Sequence, residues 1–433
     1  MRTSKLILCL VLLVITVGVQ AQNYKVTSGV VQYNNREFAD AFKSLDEALQ
    51  DASKISPKNL PKAYFYRAKA RIGMLQLAAA SGNQAELEKM GIETPMLAAA
   101  DYKKALETDA AGKWTKKIKA EQAGLRVSLL QGGIQAINEI YKNPNLPEAD
   151  KNEAFKVTVK LMDLANEIEA SYLGYDIAGQ AQLGMKDSTA ALASFNKATE
   201  LFTQTKAPSP DISAAYMYYR IAVIERYSTK NLDNALAAIT GGIAAADGEF
   251  KRYEEMVASG KIQANANTPK QYDGTKKDLK AFELDIYLNA PDKLQEALAK
   301  FEKGIQENPK DYMIHVAYAN LLEKTDAEKA RTIYQKAIDI DPDKEIAHFN
   351  LGAMYTNSAA EKSKEANETN DMKKYDQLKA EIDELLKKSI PHLEAALKAN
   401  PKSRPTLTAL KQAHVSLNNM DEYTKYKKML DEL

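Results

Sequence analysis

Residues 296–311, EALAKFEKGIQENPKD, and residues 328–344, EKARTIYQKAIDIDPDK, decide how this chain folds. Ala297, Phe301, Gly304 and Pro309 of the first stretch recur 33 residues later as Ala330, Tyr334, Ala337 and Pro342. Positions i, i+4 and i+7 lie on one face of an α-helix. Two small residues on that face admit a neighbouring helix, and the aromatic fills the gap between them. The proline stands past the last turn, where its missing N–H stops the helix and turns the chain into the next one. A second signature follows in AHFNLGAMY. There Leu351, Gly352 and Tyr355 put a glycine where two helices cross closely.

The same pattern recurs along the chain. Ala41, Leu45 and Ala48 carry it, with Gly29 and Phe38 fitting the helix and turn before them. Ala98, Tyr102 and Ala105 repeat it. So do Ala191, Phe195 and Ala198, preceded by Ala178, Gly179 and Ala181. Further copies are Ala235, Ile239 and Gly242, then Ser389, Leu393 and Ala396 ahead of Pro401. Residues 113–170 fit poorly and read as a degenerate, lengthened helix pair. Residues 404–432 read as a final pair, whose charge-rich second helix suits a terminal cap facing water.

Together these motifs resemble the tetratricopeptide repeat (TPR), a helix-turn-helix of about 34 residues. The resemblance implies an all-α, right-handed α-solenoid, in one array or two sub-arrays. It also implies a concave groove lined by the first helix of each pair. By register with the family motif, Tyr312, His315, Ala319 and Leu322 face that groove in one repeat. Ile346, Phe349, Ala353 and Thr356 face it in the next, and Tyr64, Tyr216 and Tyr219 open first helices further up. Large, stiff aromatics favour recognition, although aromatics at helix starts also serve as packing residues of the repeat. The carboxylate clamp of chaperone-binding TPRs is absent. His315 and Ala319 stand in the Lys and Asn places, Asn350 fits the next, and Pro405 and Ala409 stand where Lys and Arg are needed.

Composition agrees with helices. The 433 residues include 64 Ala but only 19 Gly and 14 Pro, a bias toward helix over sheet. Charge nearly cancels, with 59 Lys+Arg against 58 Asp+Glu. That balance argues against a nucleic-acid partner, which needs a basic surface against phosphate. Residues 1–21, MRTSKLILCLVLLVITVGVQA, read as a cleaved signal peptide. Arg2 and Lys5 precede an apolar run from Leu6 to Val19, too short to span a bilayer. Val19 and Ala21 occupy the −3 and −1 places, so cleavage is expected before Gln22. The lone cysteine, Cys9, leaves with the leader, so the exported chain has no disulfide and no thiolate. No integral membrane segment remains, and the expected compartment is the periplasm or cell envelope, or beyond it. The leader and the long penultimate repeat resemble exported TPR proteins of the Bacteroidota.

Domain organisation follows from composition shifts. An N-terminal array is expected over 22–258, a linker over 259–275 and a C-terminal array over 276–433. The linker SGKIQANANTPKQYDGT is rich in Gly, Pro and Asn. QTKAPSPDIS at 204–213 reads as a turn between repeats. Extra residues enter between Arg71 and Ala98. Residues 358–388 are charged and helical in pattern from Lys373, so both helices of that pair are expected to extend to a polar tip. Residues 361–371, without apolar periodicity, also fit a hairpin loop.

No motif for catalysis, cofactor or metal emerges. His315, His348, His392 and His414 form neither H-x3-H nor H-E-x2-H. His315 and His348 fall at matching places in adjacent repeats, roughly 10 Å apart at helix-packing distance, and packing accounts for His392 after Pro391. Gly132-Gly133 and Gly241-Gly242 lack the strand and lysine of a phosphate loop, and no G-x-S-x-G elbow occurs. Carboxylate pairs such as Glu254-Glu255 and Asp383-Glu384 lie on charged helix faces. The expected function is a non-catalytic protein-interaction scaffold or adaptor of the cell envelope. The alternatives are a glycan or cell-wall-fragment binding module and, behind it, a cryptic hydrolase. The partner is a protein of open identity, and homo-oligomerisation stays open.

Overall fold

The computed structural model describes residues 20–204, 210 and 213–433. The signal-peptide reading lies outside these residues except for its last two. The expected turn at 204–213 lies outside them at 205–209, 211 and 212. The described residues form nineteen α-helices and no strand. The chain divides into two compact units, Met1–Leu279 and Lys280–Leu433.

In the first unit, α1 (20–34) pairs with α2 (Phe38–Leu49). Next come α3 (Leu60–Ala80), the short α4 (Gln84–Met90) and α5 (Glu93–Thr108), with α3 packed on α5. The pairs α6 (Thr115–Lys142) with α7 (Glu148–Ile168) and α8 (Tyr172–Gly184) with α9 (Ser188–Gln204) follow. Then α10 (Ser213–Ile224) packs on α11 (Leu232–Ala258), and α12 (Thr268–Leu288) runs on to carry the unit boundary. In the second unit the end of α12 meets α13 (Leu294–Glu307) through Tyr287 against Phe301. The pairs α14 (Tyr312–Leu322) with α15 (Ala327–Ile340), α16 (Glu345–Glu368) with α17 (Met372–Ala399) and α18 (Arg404–Ser416) with α19 (Met420–Asp431) complete it.

The small–large–small triplets are the helix seams. Ala41, Leu45 and Ala48, then Ala191, Phe195 and Ala198, then Ala330, Tyr334 and Ala337 are fully buried. A Cβ at Gly352 would lie 2.8 Å from Cγ and Cδ2 of Leu393, so the glycine is what lets α16 and α17 touch. Ser389 uses the same approach: its hydroxyl donates to the Gly352 carbonyl at 2.7 Å. The degenerate stretch 113–170 is indeed a long pair, 28 and 21 residues. Its core is built largely of Leu129, Leu130, Ile137, Phe155 and Met162.

Two expectations about loops change. The helices of the penultimate pair do extend, and the hairpin loop shrinks to 369–371. The linker expected at 259–275 is a loop only up to residue 267, because α12 starts at Thr268. Pro269 is the second residue of that helix, where its missing N–H would be unsatisfied anyway. The loop itself is anchored: Asn265 N–H donates to the Tyr253 hydroxyl at 2.7 Å, and that hydroxyl donates to the Asn265 carbonyl at 3.2 Å.

Close approach at one glycine makes a simple test. Gly352→Ala forces Leu393 or its backbone to move and is expected to destabilise the α16–α17 contact by about 1–3 kcal/mol. Hydrogen exchange of α16 and α17 amides should quicken accordingly. Gly248→Ala on α11, where a Cβ meets nothing within 4 Å, should slow exchange or leave it unchanged.

Candidate functional site

The eight residues expected to line a groove divide sharply. Tyr312, His315, Ala319 and Leu322 are buried. The Tyr312 hydroxyl accepts the Ala347 N–H at 2.8 Å and so ties α14 to the first turn of α16. The side chain of Asp311 caps α14 by accepting the N–H groups of Met313 and Ile314, and His315 Nδ1 donates to the Asp311 carbonyl at 2.9 Å. Ala319 and Leu322 belong to the cluster around Tyr334 and Leu351. These four are packing residues, a correction to their expected role. Phe349 packs against Leu393 and Leu407, Thr356 shares a hydrogen bond with Ser389 at 2.7 Å, and Ala353 is half-buried. Only Ile346 is exposed, at 43%. Neighbouring helices cover most of the residues that family register names.

What remains accessible beside Ile346 is polar. Asn320 of α14 and Asn350 of α16 are half-buried, and the Asn350 amide donates to Asn320 Oδ1 at 3.0 Å and to the Tyr334 hydroxyl at 3.1 Å. Burial pushes the Tyr334 phenol up, so it stays neutral and can donate to the Glu323 carboxylate.

The first unit carries a row that the sequence did not reveal. Tyr33 of α1, Tyr66 of α3 and Trp114 at the start of α6 lie in succession, each half-buried. Tyr33 and Tyr66 meet edge-on at 5.3 Å, and Tyr66 and Trp114 at 6.1 Å. All three belong to the first helices of successive pairs or cap one. Lys69 stands over Tyr33 at 5.4 Å and pairs with Glu121 of α6. Burial alone would lower the Lys69 pKa, but the Glu121 carboxylate outweighs it and the net shift is upward. Lys117 stands 5.2 Å over Trp114.

Two devices hold this row. Arg67 donates to Asp101 through Nε at 2.9 Å and Nη2 at 2.6 Å, and through Nη1 to Asp46 at 2.7 Å. Asp101 is buried, so this forked pair locks the rotation of α3 and with it Tyr66 and Lys69. Asp109, also buried, accepts the N–H groups of Trp114 and Thr115 at 2.7 Å each and the Thr115 hydroxyl at 3.0 Å. Of the aromatics expected at first-helix starts, Tyr64 is half-buried between Arg67 and Lys104, Tyr219 is half-buried, and Tyr216 is 43% exposed.

His348 lies beside His392 of α17, with Nδ1 to Nδ1 at 3.5 Å. His348 Nε2 donates to the Pro342 carbonyl at 3.0 Å, leaving its Nδ1 bare to accept from His392. Among the described residues no third imidazole, thiol or carboxylate joins them to form a metal-sized group. Burial, then the neighbouring His348, holds the His392 pKa below its ordinary 6.5.

Residues 322–358 match the family model described as TPR repeat. The matched stretch holds Tyr334, Ala337, Pro342 and the Leu351-Gly352-Tyr355 signature. No curated protein matches the sequence. Among solved structures, the chain is similar to yeast Tom70 at 14% identity, covering 95% of this chain and 92% of that one, TM-score 0.33. It is similar to the P58(IPK) TPR domain at 15% identity, covering 92% and 99%, TM-score 0.28. It is also similar to the C-terminal part of a TPR repeat-containing protein of Cytophaga hutchinsonii at 12% identity, covering 89% and 99%, TM-score 0.28.

Asp109→Ala should destabilise the start of α6 by about 1–2 kcal/mol, the loss of a capping carboxylate. Trp114 is the chain's one tryptophan, so its fluorescence should shift red as the ring loosens. His392 binds its proton less tightly folded than unfolded. Its linkage therefore leaves stability intact above pH about 6.5 and removes some as pH falls below that value. His392→Gln should flatten this acid limb in urea titrations between about pH 7 and 5.

Proposed function

We propose that this chain is an exported, non-catalytic scaffold of the cell envelope that binds a protein partner across its first-helix faces. The half-exposed row Tyr33–Tyr66–Trp114 carries this reading. Aromatic rings held by Asp109 and the Arg67–Asp101 pair give large contact area at little entropic cost. Repeat arrays make such rows long because each pair adds one more first helix to the same face. Export rests on the leader at residues 1–21. Among the described residues no helix is long and apolar enough to cross a membrane.

A second reading, a glycan or cell-wall-fragment binder, uses the same aromatic row, since sugar faces also stack on such rings. The two separate in one experiment. The protein and its Tyr66→Ala/Trp114→Ala variant are crosslinked in envelope fractions and purified, then both are applied to a glycan array. A stoichiometric protein retained by the parent and reduced at least ~10-fold by the variant supports the scaffold. Glycan binding lost in the variant supports the second reading. Recovery of uncrosslinked monomer alone, with no glycan bound, sinks both.

A further inference from the structure

Charge in the first unit is sorted by helix. No acid occurs from residue 20 to 36 or from 52 to 85, the stretches that hold α1 and α3, and none from 110 to 120, where α6 begins. The acids of this region stand on other helices, as Asp40, Asp46 and Glu47 of α2 and Glu93, Asp101 and Glu107 of α5. The acid-free stretches are the ones that carry Tyr33, Tyr66 and Trp114. Lys62, Tyr66 and Lys69 fall at i, i+4 and i+7 of α3, which sets the ring between two ammonium groups on one helix face. Lys25 is matched by Glu47, and Lys69 by Glu121. Among the described residues no carboxylate pairs with Lys62, Lys113, Lys116 or Lys117, and the last three are exposed. Lys62 stands in the first turn of α3, and Lys116 and Lys117 stand in the first turn of α6. A cation there opposes the helix macrodipole, so these lysines weaken the helix ends they occupy. On α17 the first-turn Lys374 has Glu365 of α16 to offset it. On α3 and α6 no group among the described residues does the same.

We infer that an acidic segment of the partner protein lies along this row, with carboxylates at Lys62 and Lys117 and an apolar side chain against Tyr66 between them. This rests on the partner-binding reading and adds the chemistry of the partner. Charge complementarity carries the choice of occupant. A carboxylate beside the first turn of α3 or α6 is attracted both by an unpaired lysine and by the positive end of the helix. The rings point the same way. Lys117 lies over Trp114 and Lys69 over Tyr33, so these two rings meet a ligand through an ammonium group instead of a bare π-face. Nucleic-acid bases bind aromatic side chains by stacking on bare faces, whereas a carboxylate needs none. Tyr66 sits between the other two rings, where its accessible part can take an apolar side chain. The chain's own acids do not compete for the unpaired lysines. Asp101 and Asp109 are buried and occupied by Arg67 and by backbone N–H groups, and Glu121 is engaged by Lys69.

Trp114, the chain's one tryptophan, reports on the site directly. The intact protein is titrated with a synthetic peptide of glutamates interrupted by phenylalanines, blocked at both ends so that it offers no terminal carboxylate. Low ionic strength is used, where exposed charges are least screened. The same peptide with glutamine for glutamate and a thymidine oligonucleotide serve as comparisons. The expected result is a saturable change in tryptophan emission with the acidic peptide, lost as salt is raised. Lys62→Glu/Lys117→Glu should weaken binding at least ~10-fold. Acids suit the first turn of a helix, so this variant should keep its circular dichroism spectrum, and Lys62→Gln/Lys117→Gln should show a smaller loss in the same direction. Lys336→Glu/Lys402→Glu, an equal charge reversal at exposed positions of the second unit, should leave the affinity unchanged. No emission change, equal binding of the glutamine peptide, or an oligonucleotide bound more tightly than the acidic peptide overturns the inference. So does a crosslinked envelope partner that Tyr66→Ala/Trp114→Ala loses and Lys62→Glu/Lys117→Glu retains. That last result removes the acidic segment and leaves the scaffold reading standing.

Discussion

No helix pair in this protein has an interior of its own. One face of each helix is buried only because another helix lies on it, and the separation is set by the smallest residues on the seam. At Gly352 the approach is so close that Leu393 fills the space a methyl group would need. At Ala330 and Ala337 the same closeness seats Tyr334 fully inside. The core is therefore a series of local clusters, each shared between neighbouring helices. Such an array gains stability by adding neighbours, and it tolerates extra length where helices run past them. The α16–α17 pair does so, burying Ala359, Ala366, Leu378 and Ile382 along its extension.

The same constraint decides what is free to bind. A residue on a first helix is available only if the next helix leaves it uncovered. In the second unit the neighbours close over Tyr312, His315, Ala319 and Leu322. In the first unit Tyr33, Tyr66 and Trp114 pack edge to face and keep part of each ring at the surface. Fixing that row needs polar groups in the interior. The buried carboxylates of Asp101 and Asp109 are tolerable because each is fully occupied, one by a guanidinium and one by backbone N–H groups and a hydroxyl.

Helix pairing was legible in the sequence because it depends on local pattern. The spacing of Ala297, Phe301 and Gly304, repeated 33 residues on, reports a face, and a face reports a neighbour. Pro309, Pro342 and Pro401 reported the turns. Burial of individual face residues was not legible, since it depends on side chains from helices 30 or more residues away. Repeat spacing set His315 and His348 at equivalent places in adjacent repeats, but it could not show that His348 touches His392, which comes from the second helix of the same pair at a distance set by the length of the α16–α17 hairpin. Trp114 escaped notice because it sits where the repeat pattern fails. Thr268 to Gly274 looked like loop because Pro and Gly mark turns more often than first turns of helices, while the buried Tyr272 that holds this turn in place shows no period by itself.

The failure of the pattern at 113–170 has a physical cause. Leu129, Leu130, Ile137 and Ile140 face Phe155, Met162 and Leu164, so this pair buries large residues against large ones. A small–aromatic–small triplet is needed only where helices cross closely. Between α6 and α7 one close approach remains, at Gly133 beneath Met162, and the rest of the seam is filled by branched and thioether side chains. Such a seam does not restrict helix length to that of the repeat, and α6 reaches 28 residues where α8 has 13. A helix of that length presents more surface than its own unit covers.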